Sequence, residues 1–290
     1  MVVLVAGAGG QLGQSLHFIA PNYPEIEFIF CNSSDLDISN LETVETVFTQ
    51  YKPQYCINAA AYTAVDKAES EPEKAHLINV LGSKNLALAC NQIGATFLHV
   101  STDFVFDGTA TKPYLERDNT NPTSVYGQTK LDGELVIQEI CAKHYIVRTS
   151  WVYSQFANNF MKTMLRLASQ RDTLSVVYDQ VGTPTNAVDL AEILIHIIKT
   201  DNQQSGSNNR FGIYNFSNEG SCSWFDFAKQ IFENNNVIIA LSGIPSSEYP
   251  TPAKRPSYSV LDKTKIKTVF GIKIKSWQES LKNTILSTNT

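Results

Sequence analysis

The chain has 290 residues, with 23 Lys plus Arg against 28 Asp plus Glu, a formal net charge of −5. At about 150 residues per domain this length allows two domains or one large one, and a fold of this size buries roughly 75% of the surface of its unfolded chain. Apolar residues at 43% and charged residues at 18% exclude disordered, collagen-like and coiled-coil chains, and the acidic balance argues against a nucleic-acid-binding surface.

The first half alternates apolar runs with helical patterns. Strands are predicted at Val2–Ala6, Glu27–Cys31, Tyr55–Ala61, Thr96–Ser101 and Tyr145–Thr149. Helices are predicted at Gln11–Ala20, Leu41–Tyr51, Glu73–Gln92 and Ser124–Ala142. Near-continuous apolar strands between helices indicate a parallel sheet covered on both faces, and right-handed crossovers make it doubly wound. Beyond residue 150 helices are expected at Asn158–Ser169, Val188–Lys199 and Trp224–Asn234. Residues 201–210 read as an exposed polar loop, and 242–257, with four prolines, as extended and loop-like. Residues 1–150 are expected to form a cofactor domain and 151–290 mainly a smaller α/β substrate domain, with segments near 178–215 returning to the main sheet.

The five cysteines are unclustered and read as reduced thiols of a cytoplasmic protein. No apolar run has the roughly 18 residues of a membrane span. The chain starts on a strand without a basic leader, so no secretory signal is expected.

Gly7-Ala8-Gly9-Gly10-Gln11-Leu12-Gly13 follows the first strand and opens the first helix. Glycines at 7 and 10 allow a tight turn and a close approach of backbone to a pyrophosphate, and Gly13 allows close helix–sheet packing. A glycine triplet also occurs in ordinary turns; strand before and helix after are what favour a nucleotide. The second strand ends at Asn32 with neither an acidic residue for a ribose 2′-hydroxyl nor an Arg for a 2′-phosphate. Asn32, Ser33 and Ser34 suit either form; Asp35 and Asp37 read as turn or cap residues, with Asp37-Ile38 alternatively beside the adenine.

Tyr126-Gly127-Gln128-Thr129-Lys130 puts Tyr126 and Lys130 on one helix face. A nearby ammonium lowers a phenol's pKa, so Lys130 is expected to ready Tyr126 for proton transfer and to hold a nicotinamide ribose. Alone the pair is commonplace; the upstream cradle gives it meaning. Thr102, at the carboxyl end of the fourth strand, faces the ligand crevice of such a sheet and can bond a substrate oxygen or cap its own backbone.

With these motifs the chain resembles the extended short-chain dehydrogenase/reductase superfamily, and within it the branch that reduces nucleotide-linked keto sugars. The resemblance spans nearly the whole chain and adds the blocks Asn58–Glu69, Ile78–Val80, Ser101–Phe106, Arg148–Tyr153, Asn158–Phe160, Asp179–Thr185 and Pro252–Pro256. It implies a Rossmann-type fold and NADPH, or NADH, as cofactor. The implied cofactor set is Gly7, Gly10, Gln11, Leu12, Gly13, Asn32, Asp37, Ile38, Ala59, Ala60, Ala61, Tyr62, Ser101, Tyr126 and Lys130. Tyr126 would be the acid, Lys130 its partner, Thr102 the orienting hydroxyl and Asn79 the support of the lysine. Thr63, Val65, Thr102, Asp103, Phe104, Tyr126 and Trp151 would meet the sugar, and Asn159 and Arg255 the diphosphate. The implied reaction reduces the C4 ketone of dTDP-4-dehydro-β-L-rhamnose to dTDP-β-L-rhamnose.

Two departures are visible. The branch often has Tyr where Phe104 stands, and Gln14 and Ser15 stand where some members carry an acidic residue of a magnesium-linked dimer. No metal ligand set is expected, magnesium use is left open, and a homodimer is permitted. The alternatives are an epimerase or dehydratase of the same superfamily, and a non-catalytic NADP-binding regulatory subunit of methionine adenosyltransferase. Dehydratases carry Asp-Glu after the Thr; here Asp103 is followed by Phe104.

Overall fold

Alternation of side chains along buried parallel strands decides the architecture. The computed structural model describes residues 1–203 and 210–286. The first half contains β1 (Val2–Ala6), α1 (Gln11–Ile19), β2 (Glu27–Cys31), α2 (Leu41–Tyr51), β3 (Tyr55–Asn58), α3 (Val65–Ala68), α4 (Pro72–His76), α5 (Ser83–Ile93), β4 (Thr96–Thr102), α6 (Val125–Ile140) and β5 (His144–Thr149). The second half contains β6 (Val152–Tyr153), α7 (Phe160–Ala168), β7 (Thr173–Val177), β8 (Val181–Gly182), β9 (Thr185–Asn186), α8 (Ala187–Gln203), β10 (Gly212–Asn215), β11 (Cys222–Ser223), α9 (Trp224–Asn234), β12 (Ala240–Ile244), α10 (Thr264–Phe270) and α11 (Trp277–Leu286).

Six parallel strands form the central sheet in the order β10-β5-β4-β3-β1-β2. Val3, Val5, Ile57, Leu98 and Val147 point to one face, under Leu16 of α1 and Leu194 of α8. Leu4, Cys56, Phe97 and Ile146 point to the other, under Phe48 of α2, Leu86 of α5 and Ile137 of α6. Both faces being covered explains why these strands read as unbroken apolar runs. All five cysteines are buried and free. A separate core joins Tyr153, Met161, Leu174, Phe227, Ile231 and Trp277 from the chain beyond β5.

Helices α2 and α9 begin and end where their patterns place them. For α9 the start is fixed by a capping box in which the Ser223 hydroxyl accepts from Asp226 N and the Asp226 carboxylate accepts from Ser223 N. Four expectations need correction. The strand predicted over Tyr55–Ala61 stops at Asn58, whose Oδ1 accepts from Ala60 N and turns the chain out of the sheet. The helix predicted over Glu73–Gln92 is interrupted by a π-helical turn at Leu77–Gly82. There Asn79 commits its side chain to Tyr62 and Thr129 and its carbonyl to Ser83 Oγ, so the turn widens to serve packing rather than periodicity. Within 242–257, residues up to Ile244 belong to β12, paired in parallel with β7. Of the loop expected at 201–210, residues 201–203 close α8 and 204–209 lie outside the described residues.

Candidate active site

The strand order reverses direction between β1 and β3, and ligands of open parallel sheets bind at the carboxyl ends beside such a switch. The glycine loop sits on one side of it. Gly7 has φ +84°, and its N–H and that of Ala8 both donate to Cys31 O at 3.0 Å, tying β1 to the end of β2. A Cβ on Gly7 would come within 2.5 Å of Ala60 N, so the loop lies directly against Ala59 and Ala60 across the crevice. A Cβ on Gly13 would sit 2.4 Å from Gly7 O, which is why α1 can pack so close to the turn. A Cβ on Gly10 meets nothing nearer than 3.5 Å, so the fold itself leaves space there. No side chain caps α1 and its first turn holds no acid. Its N–H groups and partial positive charge therefore face the crevice without an internal anion. Open space, free amides and a helix N-terminus fit a pyrophosphate.

Along the rim, Asn32 Oδ1 accepts from Ser34 N at 2.8 Å and Asp37 Oδ1 from Ser39 N at 3.0 Å, so both stabilise turns while staying exposed. The Ile38 side chain is buried against Gly82. Ala61 is partly exposed, and Tyr62 is buried with its hydroxyl donating to Glu71 Oε2 at 2.8 Å.

The second group converges on the end of β4. Ser124 caps α6 by accepting from Gly127 N at 3.2 Å. Gly127 lets α6 abut the turn at Asp103–Val105, since a Cβ there would be 2.3 Å from Phe104 O. The rings of Phe104 and Tyr126 meet edge-on at 5.5 Å. Burial pushes the Tyr126 phenol up to about 12; the facing Thr102 side chain works against that rise and Asp103 adds to it. Thr102 Oγ1 donates to Asp103 Oδ1 at 3.0 Å and accepts from Phe104 N at 3.2 Å. Asp103 is itself buried, Oδ2 makes no well-formed hydrogen bond, and burial pushes its carboxyl up to about 6. Buried Ser101 Oγ is also unpartnered.

Lys130 corrects an expectation. Its Nζ turns from Tyr126 to Val100 O at 2.7 Å and His99 Nε2 at 3.1 Å, and burial pushes the amine down to about 8. The phenol is therefore raised rather than lowered, because burial outweighs the Thr102 side chain that opposes it. Asn79, expected to support Lys130 through the helix backbone and water, bridges Tyr62 N at 2.8 Å and Thr129 Oγ1 at 3.0 Å, the latter the neighbour of Lys130 in α6.

Residues expected at the sugar and diphosphate take distinct positions. Trp151 has φ +48°, a strained value for a bulky residue, and its ring is held between Gly182 and Trp224, stacked at 3.6 Å. Asn159 caps α7, and its Nδ2 donates to Ser154 O at 2.7 Å and Gln11 Oε1 at 3.0 Å, so it links to the glycine loop instead of standing free for a phosphate. Arg255 forms a two-pronged pair with Asp66 at 2.7 and 2.9 Å, which holds the Asp66 carboxyl below its usual range and brings Arg255 beside Val65. Thr63 is exposed and Val65 partly so. Three participants were not singled out from sequence: Asn58, His99 and Asp66. The first two carry a signal, each being a polar residue inside an apolar, doubly covered strand. Among the described residues no group of three or more His, Cys, Asp or Glu side chains could hold a metal ion. No described helix is long and apolar enough to cross a membrane.

A Rossmann-type sheet with this cradle beside a Tyr-x-x-x-Lys helix defines an oxidoreductase of the extended short-chain dehydrogenase/reductase class. The RmlD substrate binding domain family matches residues 1–289, and the chain belongs to that family. It is 44% identical over 287 residues, 97% of each chain, to a protein of Aggregatibacter actinomycetemcomitans named dTDP-4-dehydrorhamnose reductase. A solved dTDP-4-dehydrorhamnose reductase of Clostridium acetobutylicum superposes with TM-score 0.94 at 42% identity, covering 100% of both chains. Another, from Bacillus anthracis and in complex with NADP, gives TM-score 0.92 at 37% identity over 99% of both.

Proposed function

We propose that the protein reduces the C4 ketone of dTDP-4-dehydro-β-L-rhamnose with NADPH, giving dTDP-β-L-rhamnose. The observation that carries the reading is Tyr126 facing Thr102 at the carboxyl end of β4, across the switch from the glycine cradle. The names of its relatives and the NADP bound by the Bacillus anthracis protein support it. The loop Gly7–Gly13 would hold the pyrophosphate, Asn32–Ser34 would approach the adenosine end, Ala59–Tyr62 would line the far wall and Lys130 would reach the nicotinamide ribose. When bound, the dihydronicotinamide supplies the hydride to C4. Tyr126 gives the proton to the C4 oxygen. Its raised pKa suits that role, since the phenol keeps its proton at neutral pH until a stronger base, the developing alkoxide, faces it. The Thr102 hydroxyl would orient the same oxygen by turning its one hydrogen to it from Asp103 Oδ1. Arg255 would offer a guanidinium to the diphosphate while Asp66 holds its plane.

The division at about residue 150, a cytoplasmic setting and activated deoxysugar supply for surface polysaccharide belong to the same reading. The test is purified protein with NADPH or NADH and the keto-sugar nucleotide, followed at the nicotinamide absorbance band. Oxidation dependent on the sugar is expected, and no oxidation with either cofactor rejects the reading.

A further inference from the structure

Lys130 rests on a buried chain that starts at Asn58. Ala60 N donates to Asn58 Oδ1 at 3.1 Å, which fixes the amide so that Nδ2 faces His99 Nδ1 at 3.1 Å. Nδ1 must then accept. A neutral imidazole with Nδ1 unprotonated carries its proton on Nε2. That N–H points at Lys130 Nζ, 3.1 Å away. An ammonium there would set donor against donor; an uncharged amine offers the lone pair the contact needs and still donates to Val100 O. Asn58, His99 and Lys130 are each nearly or fully excluded from solvent, so no water can relieve a mismatch.

We propose that Asn58 and His99 are positioning residues that favour the uncharged amine of Lys130 over its ammonium in the cofactor-free protein, through the Nε2–H tautomer of His99. This rests on the reading of Lys130 as the residue that meets the cofactor, where it becomes charged on leaving His99 for a ribose hydroxyl. The surrounding charges agree. On α6, Glu134 lies one turn on and works against the fall, but Arg148 of β5 engages both its oxygens, at 2.9 and 2.6 Å, and burial prevails. Tyr126 on the same helix favours its neutral form more than usual, and Asp103 beyond β4, ionised above about pH 6, is engaged by the Thr102 hydroxyl rather than by Lys130. The turn Leu77–Gly82 carries no ionisable side chain, and the neighbouring part of β3 only the Cys56 thiol. Burial lowers both His99 and Lys130.

The experiment is nuclear magnetic resonance on cofactor-free protein labelled with 15N-histidine and 13C-lysine, His99 and Lys130 being assigned by loss of signal in His99→Gln and Lys130→Met. The proposal expects His99 protonated at Nε2 with a bare Nδ1, and Lys130 titrating near pH 8. Asn58→Asp, which presents an acceptor to Nδ1, should invert the tautomer and move the Lys130 midpoint up by at least one pH unit. An Nδ1–H tautomer in the wild type, or a Lys130 midpoint at the ordinary value near 10.4, overturns the proposal. Calorimetry with NADP+ at pH 8.5 in two buffers of different ionisation heat adds the link to function. The wild type should take up part of a proton on binding, more as the pH rises through about 8, and Asn58→Asp much less. Tight binding without proton uptake also overturns the proposal. Failure of NADP+ to bind sinks the cofactor reading instead, while the spectra still decide the tautomer.

Discussion

Replacing Asp103 by Asn should make the protein more stable, by an amount that depends on pH in a definite direction. The carboxyl is 2% exposed, Oδ2 makes no well-formed hydrogen bond, and burial raises its pKa to about 6 from an ordinary 3.8 although the Ser259 and Thr102 side chains oppose the rise. Because the folded pKa lies above the unfolded one, the native state binds the proton more tightly. Its contribution is intact below about pH 4 and is lost as pH rises through about 6. Each pKa unit is about 1.4 kcal/mol, so keeping the charge buried above neutrality costs about 3 kcal/mol. Asn retains an acceptor for Thr102 Oγ1 and has no charge to desolvate. In urea unfolding, Asp103→Asn should exceed the wild type by about 3 kcal/mol at pH 8 and by about half that at pH 5. A variant less stable at pH 8, or a difference equal at both pH values, would refute the reasoning.

Other outcomes follow from the same geometry. Tyr126→Phe should lower turnover by roughly 100-fold while NADPH titrations keep their midpoint, and near-normal turnover would reject the proton-donor role. Gly13→Ala should lose about 1–3 kcal/mol in denaturation because the new methyl meets Gly7 O. Gly10→Ala should unfold like the wild type but bind NADPH more weakly; equal behaviour of the two variants would contradict the division between folding and phosphate space. Glu134→Gln leaves Arg148 buried without its carboxylate, so denaturation should show a loss of about 3–5 kcal/mol, and a loss under 1 kcal/mol would show that the pair is not needed.

The central sheet was legible because its strands are covered on both faces, so Val2–Ala6 and Tyr55–Ile57 carry no polar interruption to confuse the pattern. The glycine loop was legible because the close approaches at Gly7 and Gly13 admit no Cβ. What sequence could not show lies in contacts between distant elements. The break in the helix predicted over Glu73–Gln92 has no local signal, since Asn79 is drawn to Tyr62 and Thr129 by their placement in the fold. Strand β12 hides in a proline-rich stretch because its pairing with β7 uses Ser242 and Gly243 rather than an apolar alternation. Spacing put Tyr126 and Lys130 on one face, but it could not reveal that His99 and Val100 O hold the amine beneath them. Nor could it show that Asp66 already grips Arg255, since 189 residues separate the two.

The most direct measurement follows the hydrogen itself. Purified protein is given the keto-sugar nucleotide and NADPH carrying deuterium in place of both hydrogens at the nicotinamide C4, and the product is read by mass spectrometry and nuclear magnetic resonance. The wild type is expected to form dTDP-β-L-rhamnose carrying deuterium at the sugar C4, a product nearly absent with Tyr126→Phe. Consumption of NADPH without deuterium at that carbon, or recovery of unchanged keto sugar, would contradict the proposed reduction.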